Sequence, residues 1–178
     1  MNSKTEARKE LKKSLSLLSV ADKSSASTRL CEKLLQDPRI AKANTLGIFL
    51  PLPDEPDLRP ALTLLHQKGC RLALPFPSTV SHWDFHWIQD VKGSLDGPWG
   101  LELPEQGPKT KTQALEIILV PGRGFTPLGQ RIGRGKGIYD RLLNNTNSIT
   151  IGIGFACQLR DSLPSEPHDV LLSEVWVA

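Results

Sequence analysis

Apolar positions along the chain follow two periods, and each period marks a different kind of element. Ala7, Leu11, Leu15 and Leu18 recur at helical spacing behind Ser3 and Glu6, which have the form of a capping box. This predicts a first helix over about residues 4 to 18. Ser19 with Asp22 repeats the start signal and predicts a second helix ending near Pro38. Leu46 to Leu50 is a short apolar run stopped by Pro51, the pattern of a buried strand. A turn from Pro53 to Pro56 leads into a helix over about 57 to 68, closed by Gly69.

Arg71 to Leu74 reads as a second strand. Beyond it, Trp83, Phe85 and Trp87 alternate with Asp84, His86 and Ile88, which suggests a half-exposed strand. Residues 91 to 112 are rich in Gly, Pro and charge and read as a long loop, whereas Ile117 to Val120 and Ile149 to Phe155 are further buried strands. Helices alternating with apolar strands predict an α/β fold: three αβα layers around a mainly parallel central sheet. No linker interrupts the pattern, so residues 1–178 read as a single domain.

Composition narrows the classes. Charged residues make up 23% of the chain and apolar ones 39%, which excludes a disordered or membrane-embedded protein. No apolar run approaches the roughly 20 residues that span a bilayer. The N-terminal residues lack the apolar stretch of a secretory signal, and Glu6 and Glu10 speak against a transit peptide. Cys31, Cys70 and Cys157 are far apart and form no CxxC pair, so free thiols in a reducing, cytoplasmic setting are expected. The net charge of +3 suits a small anionic ligand as well as nucleic acid and decides little.

The segment from Pro121 to Leu143 carries the chemistry. Six glycines fall between residues 122 and 137, interleaved with Arg123, Arg131, Arg134 and Lys136, and no acid appears before Asp140. Glycine lets backbone N–H groups turn toward an anion, and guanidinium forks grip phosphate oxygens in pairs. Ile138, Tyr139, Leu142 and Leu143 resume helical spacing, which places Gly137 at a helix N-terminus. Together these features predict a phosphate cradle. The segment is not a Walker A loop, because Gly137 follows Lys136 where Ser or Thr is required. Nor does a GxGxxG open directly after a strand, so a Rossmann dinucleotide site is poorly supported.

Gly129 to Asp140, GQRIGRGKGIYD, resembles the signature of the 5-formyltetrahydrofolate cyclo-ligase family, and the resemblance extends through most of the chain. It implies a NagB/RpiA/CoA-transferase-like scaffold, Mg2+ as cofactor, and ATP and 5-formyltetrahydrofolate (free or polyglutamylated) as substrates of a monomer. It further implies that Lys4, Arg8, Arg131, Gly133, Arg134, Gly135, Lys136, Gly137 and Tyr139 bind ATP, with Arg134, Lys136 and Tyr139 the catalytic set. Phe49, Leu50, Glu55, Trp99 and Tyr139 would meet the folate. Glu-Pro-His-Asp, residues 166 to 169, resembles the closing motif, so that Asp140 and Asp169 would attend the metal. The implied reaction phosphorylates the formyl oxygen; N10 then attacks the activated carbon, giving 5,10-methenyltetrahydrofolate, ADP and phosphate.

Four positions depart from the family pattern: Trp83, Thr126, Ile138 and Ser173. They support a second reading, in which the same scaffold takes another nucleotide or phosphorylated metabolite. A third reading, a nucleic-acid-binding module, predicts a contiguous cationic face; acids such as Glu6, Glu10 and Asp22 among the cations weaken it. Of the histidines, His66 suits a charge–dipole role at a helix C-terminus, His82 and His86 belong to the aromatic strand, and His168 suits a structural hydrogen bond.

Overall fold

The computed structural model describes residues 3–79, 82–92, 95–96 and 102–178. Local signals set the first two helices. Helix α1, Lys4–Ser16, begins where the Ser3 hydroxyl accepts from the Glu6 N–H at 3.2 Å, and it buries Ala7, Leu11 and Leu15. Helix α2, Val20–Gln36, opens on a complete capping box between Ser19 and Asp22. It stops at Asp37, whose carboxylate accepts from the N–H groups of Arg39 and Ile40 at 2.8 and 3.3 Å. That same residue therefore caps a short helix, α3 (Pro38–Lys42), which the apolar pattern did not predict. Asp-Pro ends one helix and starts another, because Pro is welcome in a first turn and excluded from an interior.

Strand β1, Thr45–Gly47, lies at the centre of the sheet. Helix α4, Arg59–Gln67, leads from it to β2, Arg71–Pro77, which pairs with β1 in parallel. Strand β3, Trp83–Ile88, returns antiparallel to β2; only Phe85 and Ile88 of it are buried, as a half-exposed strand requires. Strands β4 (Leu95–Asp96) and β5 (Glu102–Leu103) pair with each other, and β6 (Lys109–Thr110) extends the main sheet beyond β3. The stretch expected to be all loop thus contains three two-residue strands. Strand β7, Ile117–Pro121, pairs with the other edge of β1. A small hairpin, β8 (Gly124–Phe125) with β9 (Arg131–Ile132), precedes helix α5, Ile138–Leu142. Strands β10 (Ile149–Gly154) and β11 (Glu174–Val177) complete the order β11-β10-β7-β1-β2-β3-β6. Five of these seven strands run parallel, in agreement with the mainly parallel sheet read from the sequence.

Strand β1 is shorter than the apolar run predicts. Its ladder ends at Gly47, although Ile48 still donates to the Ala73 carbonyl at 2.8 Å and Phe49 and Leu50 stay buried. Alternate strand residues feed two clusters. Leu46, Ile48, Leu119 and Ile151 pack with Leu34 of α2, Ile40 of α3 and Leu62 of α4. On the other face Ala73, Ile118 and Val120 pack with Phe125, Leu142, Leu143 and Leu172. Each of the buried Leu, Ile, Val and Phe side chains among these contributes about 1.5–3 kcal/mol. The third layer is thin, because α5 is one turn long and irregular chain covers the rest. Helix α1 stands outside both clusters and packs on Ile132 and Leu163 through Ala7 and Leu11.

The chain leaves β1 toward β2 on one side and later returns through β7 on the other. The carboxyl ends of β1 and β7 therefore flank a topological switch point, where open α/β sheets form a crevice.

Candidate active site

A cavity of about 260 Å³ opens at that crevice. Its apolar lining comes from Phe49, Leu50 and Leu52 after β1, Leu74 and Pro75 of β2, and Trp83 of β3. Its cations come from Lys4 and Arg8 of α1 and from the β9–α5 loop. The structure brings Lys4, Arg8, Phe49, Leu50, Glu55, Arg131, Gly133, Arg134, Gly135, Lys136, Gly137, Tyr139, Asp140 and Asp169 to this one cavity. Trp99, expected beside the substrate, lies outside the described residues.

The β9–α5 loop takes its shape from glycine and its position from side-chain tethers. Gly135 and Gly137 have φ of 94° and 62°, the left-handed region that side-chain-bearing residues avoid. Arg8 Nε donates to the Gly133 carbonyl at 3.1 Å, and Arg141 Nη2 donates to the Lys136 carbonyl at 2.8 Å. Arg134 reaches across to Glu55, with Nη2 3.0 Å from Oε1, and also forms an ion pair with Asp54. Helix α5 has only five residues, so dipole assistance at Gly137 is slight. A phosphate cradle in this loop would therefore depend on its cations more than on the helix N-terminus that the sequence pattern emphasised.

Arg131 is more a strut than a free cation. Its side chain is only 5% exposed, Nη2 lies 3.0 Å from Asp140 Oδ1, and the guanidinium carbon is 5.6 Å from the centre of the Tyr139 ring. Burial pushes the Tyr139 phenol far above its ordinary range, helped by the Glu55 charge and opposed by Arg131, so the hydroxyl stays protonated. Glu55 is also raised: burial outweighs the Arg134 charge and the Leu52 N–H bond at 3.0 Å. Asp54 moves the other way. Burial alone would raise it, but the Arg134 hydrogen bond and the charges of Arg134 and Arg123 hold it down.

At the C-terminal rim Glu166, His168 and Asp169 form a cluster whose ligand atoms lie within 4.8 Å of one another. Lys4 Nζ sits against it, 2.6 Å from Asp169 Oδ1 and 2.7 Å from Glu166 Oε2. Asp140 is not in the cluster; its carboxylate is engaged by Arg131. Glu166, which opens the Glu-Pro-His-Asp motif, joins the site although the resemblance assigns the metal only to Asp140 and Asp169. Leu74, Pro75 and Leu103 gave no sequence signal, since only sheet pairing brings them to the crevice.

The four departures divide evenly. Trp83 and Ile138 line the cavity. Thr126 is fully buried in the β8–β9 turn, where its hydroxyl accepts from the Gln130 N–H at 3.1 Å. Ser173 bonds to Thr150, accepting from its N–H at 3.1 Å. His66 lies in the last turn of α4, as expected, and its ring nitrogens also lie 2.9 Å from the carbonyls of Cys70 and Gln89, joining the end of α4 to the end of β3. His168 is exposed at the rim, 3.3 Å from Glu166. All three cysteines are free thiols.

Fold and site together define a mixed α/β protein that presents a cationic crevice at the carboxyl ends of its parallel strands. The model of the 5-formyltetrahydrofolate cyclo-ligase family matches residues 1–178, and the chain belongs to that family. The 5-formyltetrahydrofolate cyclo-ligase of Mus musculus is 26% identical over 182 residues, covering 94% of this chain and 90% of that protein. That of Escherichia coli K12 is 30% identical over 159 residues, covering 81% and 86%. The NMR structure of Aquifex aeolicus 5,10-methenyltetrahydrofolate synthetase superposes with a TM-score of 0.84 at 27% identity, covering 97% of this chain and 88% of the other. The Mycoplasma pneumoniae synthetase, 23% identical with a TM-score of 0.78 and 98% of both chains covered, shares the fold. Among the described residues no helix is long and apolar enough to cross a membrane.

Proposed function

We propose that the crevice converts 5-formyltetrahydrofolate to 5,10-methenyltetrahydrofolate at the expense of ATP, the reaction after which the family is named. The observation that carries this reading is the convergence of α1, the β1 and β9–α5 loops and the C-terminal rim on one cavity with two kinds of lining. An apolar lining with a single buried carboxylate suits a flat heteroaromatic ring that offers N–H donors; a cationic, glycine-rich lining suits a triphosphate.

In this reading Phe49, Leu50 and Trp83 hold the pterin, and Glu55 accepts from its N–H groups. Lys4, Arg8, Arg134 and Lys136 neutralise the phosphates, while Arg131 braces Tyr139 and Asp140 from behind. Transfer of the γ-phosphoryl group to the formyl oxygen requires positioning and charge neutralisation more than a covalent enzyme group. N10 then attacks the formyl carbon, the ring closes, and the C–O bond breaks to release phosphate while N10 gives up its proton. Tyr139, held neutral, acts as a hydrogen-bond donor and not as a base.

Magnesium fits the donor set. Glu166 and Asp169 offer hard carboxylate oxygens at the cavity rim, Asp140 also lines the cavity, and a metal usually takes only one or two protein carboxylates beside phosphate. When bound it would neutralise phosphate charge.

The reading is tested by following the absorbance of 5,10-methenyltetrahydrofolate with purified protein, 5-formyltetrahydrofolate and Mg-ATP. Product that requires both ATP and magnesium supports it, and folded protein that yields none contradicts it.

A further inference from the structure

Arg134 lies between Gly133 and Gly135, so its own backbone confines it poorly. Its side chain is nonetheless fixed by a line of contacts running back into the sheet. One oxygen of Asp54 pairs with Arg134, and the other pairs with Arg123. Arg123 is in turn held by its backbone: its N–H donates to the Ile132 carbonyl at 2.7 Å. Gln158, fully buried after β10, donates from Nε2 to the carbonyls of Gly122 at 2.6 Å and Arg123 at 3.1 Å. The Gln158 amide oxygen accepts from the Phe155 N–H at 2.6 Å. Of the four side chains in this line, Arg134 lines the cavity, whereas Asp54, Arg123 and Gln158 are not among its lining residues.

We infer that Asp54 is a positioning residue, which with Arg123 forms a relay that aims the Arg134 guanidinium at the nucleotide phosphates. The inference rests on the function proposed above and deepens it. A carboxylate bridging two arginines uses one oxygen for each, so it fixes distance and direction together. The relay joins the two lips of the switch point, the loop after β1 and the turn after β7, to the glycine-rich loop that neither strand controls directly. Glu55 also touches Arg134, but it lines the cavity itself and is placed to meet substrate. Asp54 is therefore the partner whose effect passes through Arg134 alone.

The test is Asp54→Asn, which keeps size and removes charge, read by titration calorimetry with Mg-ATP beside steady-state KM values for ATP and 5-formyltetrahydrofolate. The relay predicts an ATP Kd and KM raised about tenfold, with the folate KM changed less than about threefold and the fold intact by circular dichroism. Arg123→Gln should shift ATP binding the same way. The double variant should be no worse than Asp54→Asn within about twofold, because Arg123 acts through Asp54. Unchanged or tighter ATP binding in Asp54→Asn overturns the inference, as do equal losses for both substrates or multiplying effects in the double variant. If Asp54→Asn fails to fold, Arg123→Gln alone decides by the same split. Wild-type protein that binds Mg-ATP but forms no methenyl product would contradict the proposed reaction while the calorimetry still judges the relay.

Discussion

The ammonium of Lys4 lies 2.6 Å from the carboxylate of Asp169, a contact that ties the first turn of α1 to the C-terminal rim across 165 residues of sequence. The resemblance singled out these two residues for different ligands, one for phosphate and one for metal. The structure makes each the other's counter-ion. That end of the cavity is thus formed by the packing of α1, and one ammonium offsets one of the two carboxylate charges at the rim.

This pairing predicts a pH signature. Partial burial alone would raise Asp169, but the Lys4 hydrogen bond and the Glu166 N–H hold it below its ordinary value. Burial alone would lower Lys4, but Asp169 and Glu166 carry it above. A depressed carboxylate stabilises the fold above its unfolded pKa and loses that contribution as pH falls through the folded value. A raised ammonium stabilises below its unfolded pKa and loses the contribution as pH rises through the folded value. The pair should therefore give a plateau between about pH 4 and pH 10. Lys4→Gln should cost about 1 kcal/mol in urea unfolding at pH 7, with the cost shrinking as pH falls from about 4 toward about 2. A cost that does not change over that range contradicts it.

Lys136 separates catalysis from stability. Its side chain is exposed on the loop, and among the described residues no salt bridge involves it. Lys136→Ala should lower kcat/KM about a hundredfold by removing a phosphate contact, as loss of one transition-state donor does. Its thermal midpoint should stay within a degree or two of wild type, because exposed substitutions change stability by about 0.5 kcal/mol or less. Unchanged turnover in the folded variant would remove Lys136 from the phosphate site.

Glu55 is predicted to show the opposite balance. Its folded pKa is raised by burial, so its ionised form destabilises the fold as pH climbs above the ordinary carboxylate value. Glu55→Gln should melt higher than wild type at pH 7, with the gap closing toward pH 4. The 5-formyltetrahydrofolate KM should rise about tenfold, since a charged acceptor for the pterin would be replaced by a neutral amide with one acceptor oxygen. Scanning calorimetry across pH and a KM series check both halves; a variant less stable at pH 7 refutes the first.

Gly152 tests the packing under the site. A Cβ there would lie 2.8 Å from both Leu172 Cδ1 and Phe125 Cε1, and Phe125 is fully buried. Gly152→Ala should therefore cost about 1–3 kcal/mol by overpacking. Phe125→Leu in the same chain should recover part of that loss in denaturant midpoint, whereas a purely additive loss would place the strain elsewhere.

What the sequence revealed was local. Ser3, Ser19 and Asp22 announced the starts of α1 and α2 because a cap and its N–H partners are neighbours in the chain. Buried strand β7 was visible as an unbroken apolar run and β10 as isoleucines alternating with Thr150 and glycine. The two-residue strands β4, β5, β6, β8 and β9 were not, because pairing with distant residues defines them and they have no period of their own. The same division holds in the site. Glycines and cations of the β9–α5 loop were legible as a cluster, whereas the Arg123–Asp54–Arg134 bridge arises only because β1 and β7 lie side by side, and the burial of Arg131 only in the folded loop. Asp140 illustrates the cost of reading roles singly: a residue marked for metal is also the partner of a buried arginine.

The most direct test of the central claim follows the formyl oxygen. Wild-type protein would be given Mg-ATP and 5-formyltetrahydrofolate carrying oxygen-18 in the formyl group, and the released phosphate analysed by mass spectrometry. Phosphorylation of that oxygen predicts one labelled oxygen in each phosphate, formed in step with the methenyl product. Unlabelled phosphate accompanying the same product would show that ATP does not activate the formyl group in this crevice.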